Sequence, residues 1–133
     1  MRLAPPALLL LIAFPGLAAE PVSPQAFEEL SRGRTLHFTL GGQAFGSEQY
    51  FDGRRSLWRF ADGTCQQGVW HAEGEEVCFV YESNPETQCW RFFRSGAGLS
   101  AERVEDGQST GFVLDLGHSD GAPLPCAGPP VGA

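Results

Sequence analysis

The segment Arg34-Thr35-Leu36-His37-Phe38-Thr39-Leu40-Gly41-Gly42 (RTLHFTLGG) decides the fold class. The apolar residues Leu36, Phe38 and Leu40 alternate with polar ones, which places them on one face of an extended chain and His37 on the other. The two glycines that follow are typical of a tight hairpin turn. The segment therefore predicts a half-buried strand that enters an antiparallel pair.

Seven further segments of strand composition follow, and turn residues such as Asp-Gly, Asn-Pro and Gly-rich clusters separate them. These segments are residues 45–51, 56–60, 66–70, 77–81, 89–94, 99–104 and 112–116. No helical period interrupts the series. We therefore predict an all-β domain, an antiparallel meander of about eight strands that forms a small lipocalin-like barrel or a closed sandwich.

One short helix is predicted ahead of the strands. Ser23 is a suitable N-cap, Pro24 fits the first helical position, and Gly33 ends the helix. Phe27 and Leu30 share a face, so the helix is expected to act as a lid or plug on the strands. The alternation along the strands predicts an aromatic-rich core of Leu36, Phe38, Leu40, Trp58, Phe60, Trp90, Phe92, Phe112 and Leu114.

The N-terminal residues have the order of an export signal. Arg2 precedes the apolar run ALLLLIA at residues 7–13, and small residues end at Ala19. The run is shorter than the roughly 20 residues of a membrane span, so we predict a cleavable signal peptide at 1–19 and no span after cleavage. A single β domain is predicted at 20–120 and a Gly/Pro-rich tail at 121–133. The expected location is periplasmic or secreted.

Four cysteines follow the predicted signal peptide, and an even number in a small exported domain predicts two disulfide bonds. Their spacing lacks the close C-x2-C pair of zinc sites. A hairpin centred on Pro85 would point Cys78 and Cys89 to opposite faces of the sheet, which argues against a bond between them. Three connectivities are possible, and this register slightly favours Cys65 with Cys89 and Cys78 with Cys126.

The balance of charge limits the classes of partner. The chain has 9 basic and 16 acidic residues, a formal net charge of −7, so nothing in its charge favours nucleic acid or an anionic membrane. Carboxylates such as Glu48 and Asp52 are interpreted as residues of solvated turns. We expect a soluble monomer whose partner is a small apolar ligand or a protein.

Motifs for catalysis or metal binding are missing from the sequence. It contains no G-x-S-x-G elbow, no HExxH motif and no phosphate-binding glycine loop. The histidines, His37, His71 and His118, are expected to be surface or turn residues. The group Asp115, His118 and Asp120 lacks the ligand repeat of a calcium loop. We therefore predict no catalytic residue, no metal and no cofactor.

The most patterned region reads DGTCQQGVW at 62–70, VCFVY at 77–81 and QCWRFF at 88–93. This arrangement resembles the small secreted proteins of unknown function in alphaproteobacteria, with their recurring DGtCxxGxW…C…CW pattern. The resemblance covers most of the chain after residue 19 and is carried by glycines, tryptophans and cysteines. It implies a disulfide-braced exported fold and no catalytic residue.

The leading functional hypothesis is an exported, non-enzymatic barrel that binds a small apolar ligand or a protein partner. Arginines flank aromatic residues on two strands, and one wall for anion binding or aromatic stacking would form if those strands face each other, from Trp58, Arg59, Trp90, Arg91 and Phe92. Otherwise the arginines are exposed and pair with the surplus of Asp and Glu. One alternative is a hydrolase-like enzyme with scattered carboxylates and His118, which a convergent polar pocket would favour. The other is a structural envelope-interaction protein, which a large exposed apolar patch would favour.

Overall fold

The computed structural model describes residues 1, 3–4, 10–13, 19–96 and 98–126. Arg2, parts of the predicted apolar run and tail residues 127–133 lie outside this set. The described residues form one helix, α1 (Pro24–Ser31), and nine strands: β1 (Glu20–Val22), β2 (Thr35–Leu40), β3 (Gln43–Phe51), β4 (Arg55–Phe60), β5 (Cys65–Glu73), β6 (Glu76–Tyr81), β7 (Asn84–Ser95), β8 (Gly98–Glu105) and β9 (Gln108–Asp120). Among them no helix combines the length and apolar character needed to cross a membrane.

Strands β2 to β9 form a closed antiparallel barrel in which each strand pairs with the next and β9 pairs with β2. Closure leaves the barrel strands without a free edge along their paired length. The predicted all-β barrel is confirmed, and every predicted strand segment lies within an observed strand. Strand β1 was not predicted. It pairs with residues 92–94 of β7, beyond the part of β7 that pairs with β6.

Helix α1 begins as the sequence predicts. The Ser23 side chain accepts a hydrogen bond from the Ala26 N–H at 3.1 Å, and Pro24 opens the first turn. Glu28, in the second turn, accepts hydrogen bonds from Arg54 at 3.0 and 3.3 Å, and these hold the pKa of its carboxyl group below the usual value. The same guanidinium lies 4.5 Å from the centroid of the Trp70 ring, so one arginine links the helix to the barrel.

The inner face of α1 closes one end of the barrel through Phe27, which is fully buried. Its ring makes edge contacts with Tyr50 at 5.3 Å and Trp70 at 5.4 Å, and lies 4.3 Å from the ring of Phe92. These three aromatic residues come from β3, β5 and β7. The expected plug is therefore present, and it forms the floor of the barrel.

Three members of the predicted core are not buried. Leu40, Phe60 and Phe112 are 39 %, 38 % and 37 % exposed, because they lie at the barrel end opposite α1, the one helix among the described residues. Trp90 is partly buried against the core. The other predicted core residues are buried as expected: Leu36, Phe38, Trp58, Phe92 and Leu114.

All four cysteines are oxidised, as predicted, but the favoured pairing was wrong. Cys78 is bonded to Cys89, and Cys65 to Cys126. The turn between β6 and β7 is Glu82-Ser83, earlier than the expected centre at Pro85, because Tyr81 pairs with Asn84. A register shift between Phe79 and Tyr81 then brings Cys78 directly opposite Cys89, so both side chains lie on one face.

The Cys65–Cys126 bond fixes the chain after β9 to the outside of the barrel. Thr35 donates a hydrogen bond to Ala122 O at 2.6 Å, and Leu124 N–H donates to the Gln49 side chain at 2.9 Å. Residues 121–126 therefore cross β2, β3 and β4 before they reach the disulfide bond at the start of β5.

Gly46 on β3 allows the close approach of an indole ring. A Cβ atom at Gly46 would lie 2.2 Å from Cζ2 of Trp58, which is buried. Gly46→Ala is expected to displace Trp58 and lower the free energy of unfolding by about 1–3 kcal/mol. Urea denaturation measures the loss. Gly121→Ala is the control, since no atom of the described residues lies within 4 Å of a Cβ there, and equal stability of the two variants would contradict the prediction.

Candidate functional site

The inward-facing side chains of the barrel enclose a cavity of about 430 Å³. A volume of this size lies within the range of about 300–1,000 Å³ that is usual for small-molecule sites. Aromatic rings supply most of the wall: Phe38, Phe45, Tyr50, Trp58, Phe60, Phe79, Tyr81, Trp90, Phe92 and Phe112. The cavity is therefore a place where an apolar molecule can leave water.

The register of the strands places polar side chains among these rings. Glu48 on β3 lies opposite Trp58 on β4, which in turn lies opposite Gln66 on β5. On the other side of the barrel, Trp90 on β7 lies opposite Arg103 on β8. Since side chains alternate along a strand, these neighbours share the inner face.

The cavity is closed at one end and open at the other. Tyr50 and Phe92 line its floor and contact Phe27 of the helix. Phe60 and Phe112 line the opposite end, where more than a third of each side chain is exposed. A ligand would therefore enter between the partly exposed aromatic residues of the open end.

Glu48 is a buried carboxyl group in the wall of the cavity, 2 % exposed. The Tyr81 hydroxyl lies 2.9 Å from each carboxyl oxygen, and no described basic side chain forms an ion pair with Glu48. Burial raises the pKa of Glu48 to about 8, although the hydroxyl groups of Ser56 and Tyr81 act in the opposite direction. At neutral pH the group is therefore mainly the uncharged acid, which can donate a hydrogen bond.

Arg103 places a positive charge in the same cavity. Its Nη1 donates to the Gln88 side chain at 3.1 Å, and its guanidinium lies 5.6 Å from the centroid of the Trp90 ring. Within the described part of the chain its buried Nε–H has no hydrogen-bond partner, and no carboxylate forms an ion pair with it. The cavity thus contains one cation with an unused donor.

The predicted binding residues divide between the two faces of the barrel. Trp58, Trp90 and Phe92 line the cavity. Arg59 and Arg91 point outward, where Arg59 donates to Pro125 O at 3.1 Å and Arg91 to Gly107 O at 3.2 Å. Strands β5 and β6 separate β4 from β7, so the structure does not bring these two arginines into one wall.

Sequence reasoning missed several polar residues that line the cavity, among them Glu48, Tyr81, Arg103 and Glu105. The interpretation of Glu48 as a residue of a solvated turn was wrong. Phe45 and Phe51 suggest that the odd-numbered residues of β3 face inward, whereas Gly46, Glu48 and Tyr50 are the buried ones. A bulge between Phe38 and Thr39 in the pairing of β2 with β3 leaves Phe45 without a partner, which breaks the simple alternation.

No cluster of histidines was expected from the sequence, but the structure brings two of them together. His37 on β2 lies directly opposite His118 on β9, and together with Asp120 they form a cluster that lacks Asp115. His118 is exposed and does not line the cavity, so the barrel wall separates it from Glu48. His71 lies elsewhere, 3.4 Å from Glu73.

Comparison with known proteins identified no relative of this chain. No protein-family model, no curated protein and no solved structure matches the chain.

Proposed function

We propose that this protein is an exported, non-enzymatic barrel that binds a small apolar ligand in its interior. The observation that carries the proposal is the aromatic cavity, closed by Phe27 at one end and open at the other. Transfer of apolar surface from water contributes roughly 25 cal/mol per Å², and aromatic walls supply that surface in a preformed shape.

The polar groups of the cavity restrict the orientation of the ligand. The uncharged Glu48 offers a hydrogen-bond donor deep in the wall, and Arg103 offers a positive charge with an unused N–H. Leaving such groups unpaired on ligand binding costs free energy, so a ligand with one polar end that faces them is favoured over a pure hydrocarbon.

Export is part of the same proposal. Two disulfide bonds are typical of proteins that fold in an oxidising compartment, and the predicted signal peptide at 1–19 agrees with a periplasmic or secreted location. Cleavage after Ala19 would leave Glu20, the first residue of β1, at the new N-terminus. Membership in the alphaproteobacterial group of secreted proteins that the chain resembles is proposed on the same grounds.

Filling the cavity tests ligand binding. Ala101 on β8 lines the cavity and is 2 % exposed, so the ring of Ala101→Phe would occupy space that a ligand needs. We expect the fluorescent apolar probe N-phenyl-1-naphthylamine to bind the native protein and to bind this variant at least about tenfold more weakly. A tenfold rise in Kd corresponds to a loss of about 1.4 kcal/mol of binding free energy.

The matched control is Ala72→Phe, at an exposed position of β5 outside the cavity. It should bind the probe as the native protein does. Ala101→Leu, a smaller addition, should give an intermediate affinity and guards against a folding defect in the larger variant. No binding by the native protein, or equal binding by all variants, would contradict the proposal.

A further inference from the structure

The histidine cluster on the outer wall lies apart from the cavity and depends on the pairing of β2 with β9. His37 and His118 are direct cross-strand partners, and their rings stack with centroids 4.1 Å apart. Asp120 follows on the same strand as His118. Its Oδ2 lies 3.0 Å from Nε2 of His37 and 3.7 Å from Nε2 of His118.

In two of these residues, the side-chain atom that faces away from the cluster is already hydrogen-bonded. Nδ1 of His37 lies 2.7 Å from the Ser47 hydroxyl, and Oδ1 of Asp120 accepts the Ala122 N–H at 2.9 Å. Without metal, Nε2–H of His37 donates to Asp120 Oδ2 and Nδ1 accepts from the Ser47 hydroxyl. Metal binding would replace the Nε2 proton, because in the other tautomer Nδ1–H donates to Ser47 and the Nε2 lone pair faces the other members of the cluster. Metal-binding histidines and carboxylates are oriented in this way by outer partners.

The spacing of the donor atoms suits a small metal ion. In a tetrahedral site with bonds of about 2.0–2.1 Å, neighbouring donor atoms lie about 3.3 Å apart. The two distances from Asp120 Oδ2 lie on either side of this value, and all three donor atoms lie within 4.8 Å of one another. The stacked rings must tilt to direct both lone pairs to one ion, and the His118 side chain, 66 % exposed, has room to turn.

The donor set selects the class of metal. Ca²⁺ and Mg²⁺ prefer oxygen donors, whereas two imidazoles with one carboxylate are typical of Zn²⁺ and of Cu²⁺ or Ni²⁺. We propose that His37, His118 and Asp120 form a site for one divalent transition-metal ion on the outer wall, with water completing the coordination.

A bound ion would have a structural consequence beyond the site. Thr35 and Gln49 bond the chain after Asp120 to the outer wall, through Ala122 and Leu124. A metal ion that joins β2 to the end of β9 would reinforce the start of this segment. Binding to the folded chain alone would then raise the melting temperature in proportion to the logarithm of the metal concentration.

The test is calorimetric titration of the exported protein, purified without a histidine tag, with ZnCl₂ at pH 7.5. We expect one ion per chain, a higher melting temperature with zinc, and no change with MgCl₂. His37→Ala and His118→Ala should each weaken binding at least about tenfold. His71→Ala is the matched control, because His71 lies outside this cluster. Its own neighbour Cys78 is held in the disulfide bond with Cys89 and cannot ligate zinc, so this variant should bind zinc normally.

Failure of this proposal is distinct from failure of cavity binding. His118→Ala removes an exposed side chain, so it should retain the fold and bind N-phenyl-1-naphthylamine normally while it loses zinc. Native protein that does not bind zinc would overturn the site. The same conclusion follows if His71→Ala loses as much affinity as His37→Ala, or if His118→Ala binds zinc with native affinity.

Discussion

At pH 8 the Glu48→Gln variant is expected to be more stable than the native protein, whereas at pH 5 the two should have similar stability. Glu48 is buried, no basic side chain in the described part of the chain pairs with it, and its pKa rises from 4.5 to about 8 on folding. Between these pH values the folded chain keeps a proton that the unfolded chain has lost. The proton on Glu48 therefore stabilises the folded chain fully below about pH 4.5, and this contribution to the free energy of unfolding is lost as the pH rises to 8.

The size of this effect follows from the same interval. At about 1.4 kcal/mol per pH unit, the rise from 4.5 to about 8 corresponds to a loss on the order of 5 kcal/mol in the free energy of unfolding. Glutamine has similar shape and no charge to lose, so Glu48→Gln should lack this slope. The lowered pKa values of Glu28, Asp62 and Asp120 give slopes of opposite sign at acidic pH, and both proteins share them.

Urea denaturation at pH 5, 6, 7 and 8 measures the difference between the two proteins. Glu86→Gln supplies the control, because this carboxyl group is exposed and its removal should leave the pH dependence unchanged. If the free energy of unfolding depends on pH in the same way for the native protein and for Glu48→Gln, then Glu48 is ionised in the folded chain. The cavity would then contain a negative charge rather than a hydrogen-bond donor.

Phe27→Ala is expected to lower the free energy of unfolding by about 3–5 kcal/mol, the usual range for a fully buried phenylalanine. The ring is 0 % exposed and contacts Tyr50, Trp70 and Phe92 from three strands. Its loss leaves a hole between α1 and the barrel, because β-strands fixed by closure cannot move inward to fill it.

Phe60→Ala is the matched control for this prediction, since Phe60 lies at the open end and is 38 % exposed. Phe60→Ala should lower the free energy of unfolding by less than half as much as Phe27→Ala, because water already reaches the Phe60 ring. Thermal and urea denaturation of both variants compare the two ends directly. Equal losses would show that α1 does not act as the floor of the barrel.

The local pattern determined the elements of this fold. Alternation such as that of Leu36 and Phe38 reflects the two-residue period of a strand, and turn residues placed most strand boundaries within three residues of those observed. The exceptions are β7 and β9, which begin four or five residues earlier than predicted, so that the expected turn at residues 84–85 lies within β7. Ser23 and Pro24 predicted the start of α1 because capping involves only neighbouring residues. The oxidation of all four cysteines also followed from composition and the expected compartment.

Only the tertiary structure decided which residues meet. Cys78 faces Cys89 because the pairing of β6 with β7 shifts by a register step, and Glu48 faces the cavity because β3 pairs with β2 through a bulge. His37 reaches His118 because closure joins β2 to β9. One step of register reverses the face of every following side chain, and the choice of register depends on the free energy of the whole closed barrel rather than on any one segment.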